Sequence, residues 1–104
     1  MKNVKELVKL LQDNKLKSVT VYDLSENDEE KFVVLATSSK TTDSKKVADL
    51  IAEKYGYDGK IEGYNKGEWI VFDFVGLTLH IFLAKVRDKY NLDKLYKPKK
   101  LILK

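Results

Sequence analysis

The chain has no cysteine, which excludes disulfides, thiolate metal sites and cysteine nucleophiles. A single histidine, His80, makes a catalytic or zinc-type constellation hard to assemble. No run of about 18 apolar residues occurs, so no segment suits a membrane-spanning helix. Met1-Lys2-Asn3 leads into an amphipathic pattern and not into a signal peptide, and a cytoplasmic protein is expected. The five glycines never form GxGxxG or a P-loop, so neither phosphate-cradling motif is present. Asp23 and Asp73 each follow an apolar strand, where metal-binding carboxylates can sit, but neither has a closely spaced acidic neighbour. They read as structural or interface residues. Ser38, Ser39, Thr41 and Thr42 lack the His, Cys or Gly-x-Ser-x-Gly context of a nucleophile and read as a polar connection.

What is present is enough for one core. The 104 residues, 43% of them hydrophobic, match one ordinary domain. Net charge is +4, unevenly placed: residues 84–104 hold eight Lys or Arg against Asp88 and Asp93, a local +6 on a body of −2. A basic tail on a mildly acidic body suits contact with an RNA-rich particle, although solubility alone also explains lysines. Tyr90 and Tyr96 lie among these lysines and could stack on bases, but the spacing matches no RNA-recognition motif.

Hydrophobic spacing predicts the elements. Val4, Leu7, Val8, Leu10 and Leu11 give an amphipathic helix over residues 3–15. Residues 18–24 and 31–37 read as strands joined by an acidic loop, since β-branched alternation replaces the helical period. Val47, Ala48, Ile51, Ala52 and Tyr55 mark a second helix, with Asp43 or Ser44 as cap and Gly56 as stop. Turn residues then separate a short strand at 60–63 from strands at 68–74 and 77–83, and a helix follows over 84–90. Leu101 to Leu103 is open between an edge strand and a disordered end. The pattern predicts a single-domain α/β fold with a mixed sheet of about five strands flanked by helices.

The two strands around Val75-Gly76 can be paired residue by residue. If Phe74 faces Leu77, then Phe72 faces Leu79 and Ile70 faces Ile81, all on one apolar side. The other side pairs Trp69 with Phe82, Val71 with His80 and Asp73 with Thr78. A sheet covered by apolar helices on both sides should not carry Asp, His and Thr beside a large ring. Two explanations stand: Asp73 and His80 hydrogen-bond each other or nearby backbone at a core edge, or Trp69 with its polar neighbours is an interaction hot spot.

The strings EGYNKGEWIVFDF, LHIF and VRDKYNLDKLY, in this order and spacing, resemble the C-terminal half of the ribosomal silencing factor (iojap-like) family. Upstream, VYDLS, Ala36-Thr37 and Val47-Ala48-Asp49 fall in line with it. Lys31 and Phe32 stand where the family usually has Asp-Tyr, Ser38 where it has Gly, and Val75-Gly76 where Gly-Asp is common. The resemblance implies a nucleotidyltransferase-like fold without catalytic carboxylates, spanning 1–96, with a basic tail over 97–104. Similar proteins bind the fourteenth protein of the large ribosomal subunit and sterically block subunit joining when nutrients are scarce. Carried over by position, Trp69, Asp73, His80 and Tyr90 form or shape that interface, with Glu62 and Gly67 setting the turn. No cofactor, metal or membrane is implied. A peripheral ribosomal RNA contact through the tail goes with this reading. Family members are often homodimers, and the sequence leaves the oligomeric state open. Two other readings compete with it: a small nucleotidyltransferase-like enzyme, needing two carboxylates on adjacent strands, and a plain RNA-binding domain using the tail.

Overall fold

The computed structural model describes residues 3–97 and 100–103. Helix α1 (Val4–Asp13) starts where the Asn3 side chain accepts a hydrogen bond from the Glu6 N–H at 2.9 Å, which satisfies one free donor of the first turn. Its Leu7, Val8 and Leu11 are buried, the stripe that helical spacing predicts. Strand β1 (Lys17–Asp23) is buried at all four positions from Val19 to Tyr22. Strand β2 (Phe32–Ser38) returns antiparallel to it, with Val21 opposite Val34 and Tyr22 opposite Val33.

Helix α2 (Thr41–Tyr55) begins earlier than the expected cap allows. Lys40 occupies the N-cap without a side-chain hydrogen bond, Asp43 sits inside the first turn, and the buried Ser44 hydroxyl bonds that of Ser38. Thus neither Asp43 nor Ser44 is the cap. Gly56 does end the helix, in the left-handed conformation at φ +60°.

The expected strand at 60–63 is not one. It makes a single bridge, Glu62 to Val71, because Gly63 at φ +76° turns the chain out of extended geometry. The next two expected strands form a hairpin of β3 (Trp69–Phe74) and β4 (Leu77–Leu83). Its register runs Trp69–Phe82, Ile70–Ile81, Val71–His80, Phe72–Leu79, Asp73–Thr78 and Phe74–Leu77, as the alternation predicts. Four of the five expected strands are therefore present. Helix α3 (Ala84–Tyr90) follows directly, and Asn91 at φ +47° separates it from α4 (Leu92–Tyr96). Residues Lys100–Leu103 form β5, antiparallel to β1, which resolves the open alternative in favour of an edge strand.

The sheet is mixed, in the order β3-β4-β2-β1-β5, and its central pair, β2 and β4, is parallel. One face carries Ile70, Phe72, Leu79 and Ile81, each fully buried in a cluster with Leu7, Leu11, Val47 and Ile51 of α1 and α2. The other face holds a smaller cluster of Tyr22, Val33, Leu35 and Phe82, against which Trp69, Val86, Leu92 and Tyr96 pack. This unequal covering explains the two-faced hairpin: α1 and α2 seal one side, while the short α3 and α4 cover the other only in part. Among the described residues no helix is long and apolar enough to cross a membrane.

Candidate binding cleft beside the C-terminal hairpin

The segment from Glu62 to Glu68 lies along the outer edge of β3. The Val71 N–H donates to the Glu62 carbonyl at 2.9 Å, and the Gly67 N–H donates to the Gly63 carbonyl at 3.0 Å, closing the turn. Both glycines have positive φ. A Cβ on Gly63 would lie 1.9 Å from the Trp69 carbonyl oxygen, and one on Gly67 would lie 3.0 Å from Thr41 Cβ. These positions require glycine because the turn is pressed against β3 on one side and the start of α2 on the other.

Between this turn and α3 is an open cleft of about 550 Å³ whose lining includes Glu62, Tyr64, Trp69, Val86 and Tyr90. Lys85 of α3 pairs with Glu68 of the turn at 3.5 Å. The half-buried Trp69 ring lies 5.0 Å from the ring of Tyr90 and 5.9 Å from that of Phe82, centroid to centroid. Tyr90 is 54% exposed, with the Lys89 ammonium 5.5 Å from its ring centroid. The Trp69 Nε1–H donates to His80 Nδ1 at 3.0 Å. His80 is buried, and its desolvation lowers the imidazole pKa from 6.5 to about 4, so it is neutral at pH 7.

Of the six residues singled out by sequence, Glu62, Trp69 and Tyr90 thus meet at one cleft. His80 stands behind Trp69, and Gly67 shapes the turn. Asp73 lies elsewhere: it is exposed near the Val75-Gly76 turn, facing the acidic Asp28-Glu29-Glu30 loop across a separate surface hollow. It makes no hydrogen bond or ion pair among the described residues. The Asp73–His80 bond considered from register does not form: His80 Nδ1 receives the indole N–H, and Asp73 lies at the hollow beside the acidic loop.

Sequence reasoning did not single out Arg87. Its side chain is only 10% exposed, and all five of its N–H donors are engaged. The guanidinium donates twice to Asp93, at 2.9 Å each, and to the Ser18 carbonyl, Thr37 Oγ1 and Thr20 Oγ1 at 2.6, 3.0 and 2.9 Å. Arg87 hydrogen bonds hold the Asp93 carboxyl below its ordinary range, against the opposing effect of partial burial. Tyr22 OH also donates to Asp93, at 3.2 Å. This network fastens α3 and α4 to β1 and β2, and so fixes where Tyr90 stands. The available signal was the Arg-x-x-Tyr spacing, which puts Arg87 one helical turn before Tyr90. Among the described residues no three His, Cys, Asp or Glu side chains are grouped to hold a metal ion.

The sequence profile described as "Ribosomal silencing factor during starvation" matches residues 1–103. Over 56 residues the chain is 36% identical to the ribosomal silencing factor RsfS of Zymomonas mobilis, covering 54% of this chain and 42% of that protein. Over 47 residues it is 34% identical to RsfS of Halalkalibacterium halodurans, covering 44% of this chain and 40% of that protein. In both cases the match spans less than half of the relative. Among solved structures, a protein of Chromobacterium violaceum superposes with a TM-score of 0.75 at 25% identity, over 91% of this chain and 87% of that one. A protein of Bacillus halodurans superposes at 0.70 with 22% identity, over 96% and 99%, a likeness of fold. With the turn, the Trp69 hairpin and the Arg87–Tyr90 helix in place, and a profile matched from residue 1 to 103, the chain belongs to the ribosomal silencing factor family.

Proposed function

We propose that this protein binds the large ribosomal subunit through its fourteenth protein and blocks joining of the small subunit, repressing translation when nutrients are scarce. The observation that carries this reading is Trp69: a large ring, half-buried, in tilted contact with Tyr90 and left facing an open cleft. Tryptophan and tyrosine grouped in this way are typical of the residues that dominate binding energy at interfaces. Glu62 and Gly67 shape the turn on one side of the cleft, while Asp73, on the far end of the same sheet face, serves as a peripheral contact. The mode of action is occupancy without chemistry, on a nucleotidyltransferase-like fold that carries no catalytic carboxylates. It needs no cofactor, metal or membrane and operates in the cytoplasm. The body of the domain makes the principal contact, and the basic segment of 97–104, of which Lys100–Leu103 is the edge strand β5, adds a peripheral contact to ribosomal RNA. Self-association as a homodimer is compatible with this reading.

Sedimentation of purified large and small subunits, with and without the protein, tests it. Fewer joined ribosomes are expected at saturating protein, and Trp69→Ala should restore joining. Unchanged joining at saturation overturns the proposal.

A further inference from the structure

We propose that His80 is a positioning residue for Trp69 and not itself a contact residue, and that this arrangement leaves an entirely hydrocarbon surface of the indole for the partner. The inference rests on the reading of Trp69 as a binding residue, which it deepens.

The chemistry of the two rings fixes their roles. An indole has one polar atom, Nε1, and it only donates. Its acceptor, His80 Nδ1 at 3.0 Å, must therefore be unprotonated, which places the imidazole proton on Nε2. His80 is 9% exposed, so it has little surface to offer a partner, whereas Tyr90 is 54% exposed. Burial favours the neutral ring that this acceptor role needs. His80 is held in turn by its place on β4, between parallel β2 and antiparallel β3, with Leu35 and Val71 as its strand partners.

The consequence concerns specificity. A tryptophan at an interface ordinarily directs its N–H to a carbonyl or carboxylate of the partner. Here the ring's one donor is engaged internally, and the ring packs at a tilt against Tyr90, His80 and Phe82. The partner group that meets Trp69 is thus an apolar side chain. A partner carbonyl placed there would be desolvated without a donor.

The test begins with the unmutated protein. In a ¹⁵N-labelled sample at pH 7, the His80 Nδ1 resonance should be that of an unprotonated acceptor coupled across the hydrogen bond to the indole, which gives one signal because the chain has one tryptophan. His80→Phe, which keeps a ring and removes the acceptor, should shift that signal, speed its solvent exchange, and weaken binding to purified large subunits about tenfold. His80→Asn, which restores an acceptor near the Nδ1 position, should recover most of the binding. A protonated Nδ1, or equal binding by the parent, His80→Phe and His80→Asn beside a weakened Trp69→Ala, overturns the positioning role alone. Undiminished binding by Trp69→Ala overturns the contact reading and this inference with it.

Discussion

The α-carbon of Gly63 lies against the backbone of Trp69 so closely that a methyl group there would stand 1.9 Å from the Trp69 carbonyl oxygen. The turn and the strand that bears the tryptophan are in direct backbone contact. Gly63→Ala should therefore do more than Gly56→Ala, where φ is also positive but nothing lies within 4 Å. We expect about 1 kcal/mol for Gly56→Ala from backbone strain alone, and about 2 kcal/mol or more for Gly63→Ala with a change in Trp69 fluorescence. Equal losses in urea denaturation would show that the turn yields freely.

Arg87 should behave as a structural pin. Arg87→Met leaves Asp93, Thr20, Thr37 and the Ser18 carbonyl without their shared donor, at a cost of about 3 kcal/mol. Arg87→Lys keeps the charge but not the planar fork and should still lose about 2 kcal/mol. A loss below about 1 kcal/mol for Arg87→Met in chemical denaturation would contradict the assignment.

His80 should make stability depend on pH in mildly acidic solution. Its folded-state pKa of about 4 lies below the ordinary 6.5, so between these values the unfolded chain takes up a proton that the folded chain does not. Stability is then full above pH 6.5 and falls as pH drops, by about 3 kcal/mol near pH 4. His80→Asn should remove this component, which urea midpoints at pH 7, 5.5 and 4.5 would reveal. Identical pH slopes for parent and variant would refute it.

Neighbouring residues of β3 should differ sharply. Phe72 is fully buried and Asp73 exposed, so Phe72→Ala should cost about 4 kcal/mol while Asp73→Ala stays within about 0.5 kcal/mol. Comparable losses at both positions would mean that the strand does not sit in the stated register.

The hairpin was legible because its side chains alternate strictly and only two residues, Val75 and Gly76, separate the strands. Once Phe74 is set opposite Leu77, every other pair follows. The same register left His80 with two diagonal neighbours, Trp69 and Asp73. The alternation points to Asp73 or nearby backbone as the partner of His80, and Trp69 takes that place because side-chain reach decides: a long indole crosses a diagonal that a short carboxylate does not. The segment at 60–63 looked like a strand because positive φ at Gly63 leaves no mark in a hydrophobicity pattern. Arg87 was hidden for another reason. In a lysine-rich stretch one more cation reads as solvated, and its acceptors Ser18, Thr20 and Thr37 lie fifty or more residues away in sequence. The cleft joins the turn to α3, which only the folded chain brings together.

The parallel pairing of β2 with β4 also governs the order in which the molecule can be made. Val34 has Leu79 as its neighbour, so the middle of the sheet cannot close until the later strand has been synthesised. The early β1–β2 hairpin has to persist without that neighbour while the intervening helix and turn emerge. Such separation in sequence slows folding, because the chain must be brought into a loop before the contacts that stabilise it can form. Truncation before β4 would therefore leave a sticky two-stranded fragment and not a smaller folded domain.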